Sequence, residues 1–135
     1  MANEKFHYAT QRYVNKIVTG QETGLKTKYL SNYVKFVRKY IKEGSSILDL
    51  GCGAGLSSCM LSRYYKVVGA DLSKPVLNYA KKRFKNVTFK IEDARRMSFK
   101  NETFDAAMAC GFIEHINEVD DVLNEMLRVT KKNGY

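Results

Sequence analysis

The stretch Ile47-Leu48-Asp49-Leu50-Gly51-Cys52-Gly53-Ala54-Gly55 decides how the rest of this chain is read. A short apolar run holding one carboxylate gives way to three glycines at alternate positions, and a helical pattern opens at Leu56. An apolar run of that length, bounded by turn residues, suits a buried strand. Alternate glycines permit a tight turn and close approach of a ligand to the backbone. A glycine loop that follows a buried strand and opens a helix points to a nucleotide-like cofactor.

Outward from this loop the same rhythm repeats. Strand-like runs follow at Val67-Val68-Gly69-Ala70, Val87 to Ile91 and Phe104 to Cys110. Helices are predicted at Leu56 to Tyr65, Lys74 to Phe84 and Val119 to Thr130, while Glu92 to Thr103 reads as loop with at most a helical turn. Strands recurring about every 20 residues with helices between them imply right-handed βαβ crossovers and a parallel sheet. Ligands of such sheets bind outside the carboxyl ends of the strands. Upstream, Leu30, Tyr33, Val34, Val37, Tyr40 and Ile41 recur at helical spacing, and Gly44 is a natural stop. An earlier helix is predicted over Glu4 to Val18, with a break from Thr19 to Gly24. The expected organisation is a helical cap over residues 1–44 and a Rossmann-like α/β domain over 45–135.

Composition narrows the function classes. Hydrophobic residues make up 44% of the 135, and there is a single Pro, a globular pattern. No apolar run approaches the ~18 residues of a membrane span, and the N-terminus carries no apolar signal segment, so no membrane partner and a cytoplasmic location are expected. Cys52, Cys59 and Cys110 form no C-x-x-C pair, and two histidines give a metal site little support. The thiols read as structural. A net charge of +9 admits RNA as a partner or a lysine-rich solvated surface.

Each predicted strand end carries a candidate ligand. Asp71 stands 20 residues after Gly51, the spacing of an acid that grips a ribose diol. Ser73 is placed to cap the next helix, with Pro75 in its first turn, which leaves Asp71 for the ligand. Glu92-Asp93-Ala94 ends the third strand, and an acid there can accept from an adenine amino group or simply hold a turn. Cys110-Gly111-Phe112 ends the fourth, followed by Glu114 and His115, the only candidate bases. A carboxylate at Asp49 disfavours a pyrophosphate above it, because two like charges 4 Å apart cost roughly 4 kcal/mol at an effective dielectric of ~20. Leu56 also stands where a dinucleotide loop has its third glycine. An NAD(P)-dependent oxidoreductase is therefore the second reading, and a non-catalytic RNA- or cofactor-binding module the third. S-adenosylmethionine, an adenosine with a sulfonium and an ammonium and no phosphate, suits Asp49, Asp71 and Asp93.

Taken in order, these segments resemble the motifs of the class I S-adenosylmethionine-dependent methyltransferases. Ile47 to Gly55 resembles the first motif, Val68-Gly69-Ala70-Asp71-Leu72-Ser73 the second, Asp93-Ala94 the third, and Phe104-Asp105 through Phe112-Ile113-Glu114-His115-Ile116 the fourth. Leu123 to Val129 is similar to the following helix of the small-molecule-type branch. The resemblance implies that Gly51, Cys52 and Gly53 pass close to the methionine part, with Asp49 supporting the loop or the ammonium. It implies that Asp71 holds the ribose hydroxyls and Leu72 lies against the adenine. Asp93 and Ala94 would read the adenine edge, and Cys110 would contribute backbone near the methionine end. His115 or Glu114 would be the base, if the reaction uses one. Tyr8 and Tyr13 are candidate lid residues above an unidentified, small-molecule acceptor. Lys132-Asn133-Gly134 stands where the family usually has Pro-Gly-Gly. The family sheet has seven strands and this sequence supplies four, so a fragment of a longer enzyme is expected. Its open sheet edge would favour a homodimer, and its own catalytic competence is in doubt.

Overall fold

The computed structural model describes Arg12, Asn15, Thr19 and residues 24–135. Tyr8 and Tyr13, like most of the helix predicted over Glu4 to Val18, lie outside the described residues. Thr19 is helical, so the break expected from Thr19 does not begin there. The described elements run α1 (Gly24–Tyr40), β1 (Ser46–Leu50), α2 (Leu56–Leu61), β2 (Lys66–Asp71), α3 (Lys74–Arg83), β3 (Thr88–Ile91), β4 (Ala106–Met108), a 3-10 turn (Ile113–His115) and α4 (Val119–Val129).

The four strands form one sheet in the order β3-β2-β1-β4 with every pairing parallel. Leu48 of β1 lies between Val68 of β2 and Ala107 of β4. The chain therefore builds outward from β1 through β2 to β3, then returns to β1's other side as β4. That reversal opens a crevice at the carboxyl ends of β1 and β4, the place where such sheets bind ligands.

Side chains alternate across β1, as a strand's period of two demands. Ile47 faces a core with Val34, Val37 and Ile41 of α1, Leu61 of α2, and Val67, Ala106 and Met108. Leu48 and Leu50 face the opposite core with Ala94, Met97, Phe104, Val122 and Val129. α3 sits over a third cluster of Cys52, Leu77, Ala80, Val87 and Phe89. Helix α4 turns Val122 and Val129 inward, both fully buried, each contributing about 1.5–3 kcal/mol. Leu123 and Leu127 point outward.

Several boundaries differ from the sequence expectation. Tyr40 is 48% exposed at the end of α1, although Leu30, Val34, Val37 and Ile41 form the buried stripe as expected. Gly44 acts as a turn, with φ +87° and its amide donating to the Tyr64 carbonyl, four residues after the helix has ended. α2 stops at Leu61 because Tyr64 and Tyr65 amides both turn back to the Leu61 carbonyl, which drops the Tyr65 ring into the core. β4 is shorter than Phe104 to Cys110. Phe104 pairs with Thr130 in an isolated bridge, and the chain leaves the sheet after Met108 to form the site wall. On β4's outer edge the Ala107 amide donates to the Tyr135 carbonyl (2.9 Å) and the Tyr135 amide to the Asp105 carbonyl (3.0 Å).

Candidate cofactor site

The loop after β1 is held by backbone. The Gly51 and Cys52 amides both donate to the Ala70 carbonyl of β2, at 2.8 and 3.0 Å. Gly51, Gly53 and Gly55 all have positive φ (69°, 54° and 85°). Two of them also answer to packing. A Cβ on Gly51 would overlap the Phe112 ring, and one on Gly55 would sit 2.7 Å from Phe89 Cζ and 3.0 Å from Ala80 Cβ. Gly51 thus lets β4's wall approach the loop, and Gly55 seats the loop between α3 and β3. The Cys52 side chain is buried among Leu77, Ala80 and Phe89, so only its backbone faces the crevice. Burial pushes its thiol well above the ordinary range, which agrees with a structural role.

Asp49 lies beneath the loop, 1% exposed. Its Oδ2 accepts from Ser57 Oγ at 2.7 Å and Ser58 Oγ at 2.6 Å. Asp49 thereby ties β1 to the first turn of α2 and supports the loop from below. Burial raises its carboxyl, the two serine bonds oppose that, and nearby Asp71 raises it again. Asp71, half-buried at the tip of β2, accepts from the Gly53 amide through Oδ2 (3.0 Å) and from the Ser73 amide through Oδ1 (2.9 Å). This corrects the expected division of labour. Ser73 stands at the N-cap of α3 with Pro75 beside it, yet its hydroxyl makes no capping bond. Asp71 satisfies the Ser73 amide instead, and by holding Gly53 as well it joins the tips of β1 and β2. Burial raises its carboxyl, against the pull of the Ser73, Gly53 and Leu72 amides. Leu72, half-buried, follows on the same tip.

The turn after β3 carries Asp93 and Ala94. The Asp93 carboxylate is gripped by the residue two places on. Arg95 donates from its amide and Nε to Oδ1, both at 3.0 Å, and from Nη2 to Oδ2 at 2.8 Å. Arg95 Nη1 reaches Glu118, at the N-cap of α4, at 3.3 Å. Glu92 points the other way, buried and accepting from the Ser98 amide and hydroxyl. Farther along, the Met97 amide donates to Glu125, and Arg128 donates to the Met97 and Phe99 carbonyls. Helix α4 thus staples the loop after β3 at both ends. None of these partners stood out in the sequence. An arginine two residues after an aspartate is a usable signal for the Asp93 grip, since Asx turns bond two residues on.

Across the crevice, the segment that follows β4 carries Cys110, Gly111 and Phe112. Cys110 Sγ donates to Tyr29 Oη of α1 at 3.7 Å. Tyr33, one turn on, is half-buried, and its hydroxyl is pushed up first by burial and then by Cys110, Asp49 and Tyr29. Tyr29 and Tyr33 therefore face this wall. Glu114 and His115 sit exposed on the 3-10 turn. Glu114 Oε1 lies 3.9 Å from the Cβ position of Gly111, and its charge is felt by Tyr29.

The donor set can be tested against its expected ligand. Among the described residues neither Asp49 nor Asp71 enters an ion pair. A second carboxylate, Asp71, near enough to push Asp49 up suits a cationic ligand and opposes a pyrophosphate. No group of three or more His, Cys, Asp or Glu among the described residues could hold a metal ion. A groove of about 750 Å³ runs along α4, lined by Leu123, Leu127, Ala107 and Tyr135, and contains none of the strand-tip residues. Chemistry, not cavity size, therefore marks the strand tips as the site.

A parallel sheet with a switch point, a glycine loop and three tip carboxylates defines a Rossmann-like nucleoside-binding domain. Residues 48–135 match the model of a methyltransferase domain family. The chain is 31% identical over 126 residues to an uncharacterized protein of Methanocaldococcus jannaschii, covering 92% of this chain and 48% of that one. It is 30% identical over 130 residues to a ubiquinone biosynthesis O-methyltransferase of Pelagibacter ubique (81% and 54% covered). Among solved structures it superposes on phosphoethanolamine N-methyltransferase 2 of Haemonchus contortus, in complex with S-adenosyl-L-methionine, with a TM-score of 0.67 and 29% identity (76% and 26% covered). The chain belongs to the class I S-adenosylmethionine-dependent methyltransferase family. It spans about half the length of the curated relatives it matches.

Proposed function

We propose that this chain forms the cofactor-binding part of a methyltransferase that moves the methyl group of S-adenosylmethionine to a small-molecule acceptor. The observation that carries the reading is the pair Asp49 and Asp71, one buried beneath the glycine loop on Ser57 and Ser58 and the other bonded to Gly53, both without a cationic partner among the described residues. In this reading Gly51, Cys52 and Gly53 offer backbone to the methionine part. Asp71, held in place by Gly53 and Ser73, takes the ribose hydroxyls, with Leu72 against the adenine. Asp93 and Ala94 read the adenine edge, and Cys110 lends backbone at the methionine end. The bound cofactor supplies an electrophilic methyl for in-line attack. The protein's share is orientation of the two reactants, which lowers the barrier without a dedicated base. Glu114, beside Gly111 and Tyr29, and His115 are the two candidate bases. Tyr29 and Tyr33 of α1 stand on the acceptor side. A relative whose name places it in ubiquinone biosynthesis supports a small-molecule acceptor.

Isothermal titration tests this. S-adenosylhomocysteine should bind at micromolar concentration and NADH should not, and Asp71→Ala should weaken binding by ~1–3 kcal/mol through lost charged hydrogen bonds. Binding of NADH alone, or an unchanged affinity in folded Asp71→Ala, refutes the assignment.

A further inference from the structure

We infer that Arg95 is a positioning residue for adenine recognition: its guanidinium fork fixes the Asp93 carboxylate at the tip of β3 and anchors it to Glu118 of α4. This rests on the proposed cofactor site. A carboxylate on a turn, 34% exposed, has freedom to rotate about its side-chain bonds. Arg95 removes that freedom from both oxygens at once, through Nε to Oδ1 and Nη2 to Oδ2, while its own amide closes a turn onto Oδ1. A forked pair of this kind fixes orientation as well as distance. The far side of the guanidinium meets Glu118, so the fork is itself held from α4.

The same contact sets the charge of this end of the crevice. Asp49 and Asp71 have no cation among the described residues, whereas Asp93 has one, shared with Glu118. Adenine is neutral, and a carboxylate already paired with Arg95 offers it a directed acceptor without a full unbalanced charge. The glycine-loop end keeps its negative charge for the cationic half of the ligand. Arg95 therefore does not touch the adenine. It selects for the 6-amino group by fixing the acceptor that receives it.

The test is a ratio of affinities, measured by isothermal titration on the full chain. The probes are S-adenosylhomocysteine and its analogue with purine in place of adenine, which lacks only the 6-amino group. The wild-type chain should prefer the amino form about 10-fold, the worth of one charge-assisted hydrogen bond. Arg95→Gln should reduce that preference to threefold or less while changing affinity for the purine analogue less than twofold. Arg96→Gln removes an equal charge from the adjacent exposed residue and should leave the preference intact. If Arg95→Gln does not fold, Arg95→Lys carries the test, since it keeps the charge but cannot make the fork, and the preference should fall likewise. A preference within twofold of wild type in the folded Arg95 variant, or an equal fall in Arg96→Gln, overturns the inference. Wild-type binding of both probes with equal affinity removes Asp93 as the reader of the amino group, and the inference with it. Failure of the wild type to bind S-adenosylhomocysteine at all tells against the cofactor site instead.

Discussion

Asp49 offers the sharpest separation of charge from hydrogen bonding. Both serine hydroxyls, Ser57 and Ser58, donate to the same atom, Oδ2. A hydrogen bond to a charged acceptor contributes about 1.5–3 kcal/mol, so two are worth about 3–6. Against this stands the cost of keeping a carboxylate almost wholly out of water, the same burial that pushes its carboxyl up. Asp49→Ala loses both bonds, leaves two buried hydroxyls without their acceptor and opens a small void, but also removes the buried charge. The net loss should be about 2–4 kcal/mol. Asp49→Asn keeps a carbonyl oxygen where Oδ2 stood, so both serines still have an acceptor, now neutral. Weaker bonds and relief of the buried charge then nearly cancel, and the loss should stay below about 1.5 kcal/mol. Urea unfolding at pH 7, followed by circular dichroism, measures both. Because the Asn variant lacks the negative charge, its preference for cationic S-adenosylmethionine over S-adenosylhomocysteine should fall several-fold while its stability barely changes. An Asn variant as unstable as the Ala variant, or an Ala variant losing under about 1 kcal/mol, refutes this account of the residue.

Gly51→Ala meets a left-handed backbone (φ 69°) and the Phe112 ring, so it should cost about 2–4 kcal/mol in thermal unfolding. Adding Phe112→Ala should cost less in that background than alone, and strict additivity would separate the two residues. Arg128→Ala removes the bonds to the Met97 and Phe99 carbonyls, and hydrogen exchange at residues 95–99 should quicken while the amides of β1 stay protected. Asp105, bonded to Lys131 and then to the Ser46 amide and hydroxyl, has its carboxyl pulled down to about 2. A lowered carboxyl stabilises the fold above its ordinary value and loses that contribution as pH falls from about 4 through 2. Wild type should therefore outlast Asp105→Asn at pH 6 by less than about 1 kcal/mol, the pair being partly exposed, with the difference shrinking steadily as pH falls from about 4 through 2. A gap that widens in acid reverses the sign and excludes this cause.

Much of this site was legible from type and spacing, for physical reasons. The strands announce themselves because a sheet covered on both faces needs continuous apolar runs, as at Ile47 to Leu50. Asp71 and the glycines follow from where strands end. What the sequence hid lies in contacts between distant segments. Phe112 meets Gly51 only once β4 lies beside β1, and Ser57 and Ser58 meet Asp49 only once α2 folds back. Asp71 looked free because Ser73 could cap α3, yet the hydroxyl does not, and the aspartate takes the Ser73 amide. Apolar character runs past the end of β4 because Ala109 and Phe112 pack against the core from outside the sheet. The charge of +9 named no partner, since solvated lysines such as Lys74, Lys81 and Lys82 of α3 add to it without any ligand.

The most direct measurement is a two-dimensional amide NMR titration of the chain with S-adenosylhomocysteine. The amides of Gly53, Leu72, Ala94 and Gly111, which come from four strand tips, should shift together and saturate with a single dissociation constant. Shifts confined to α4 and Tyr135, or strand-tip amides that stay still while ligand binds, would contradict a shared crevice at the tips of the sheet.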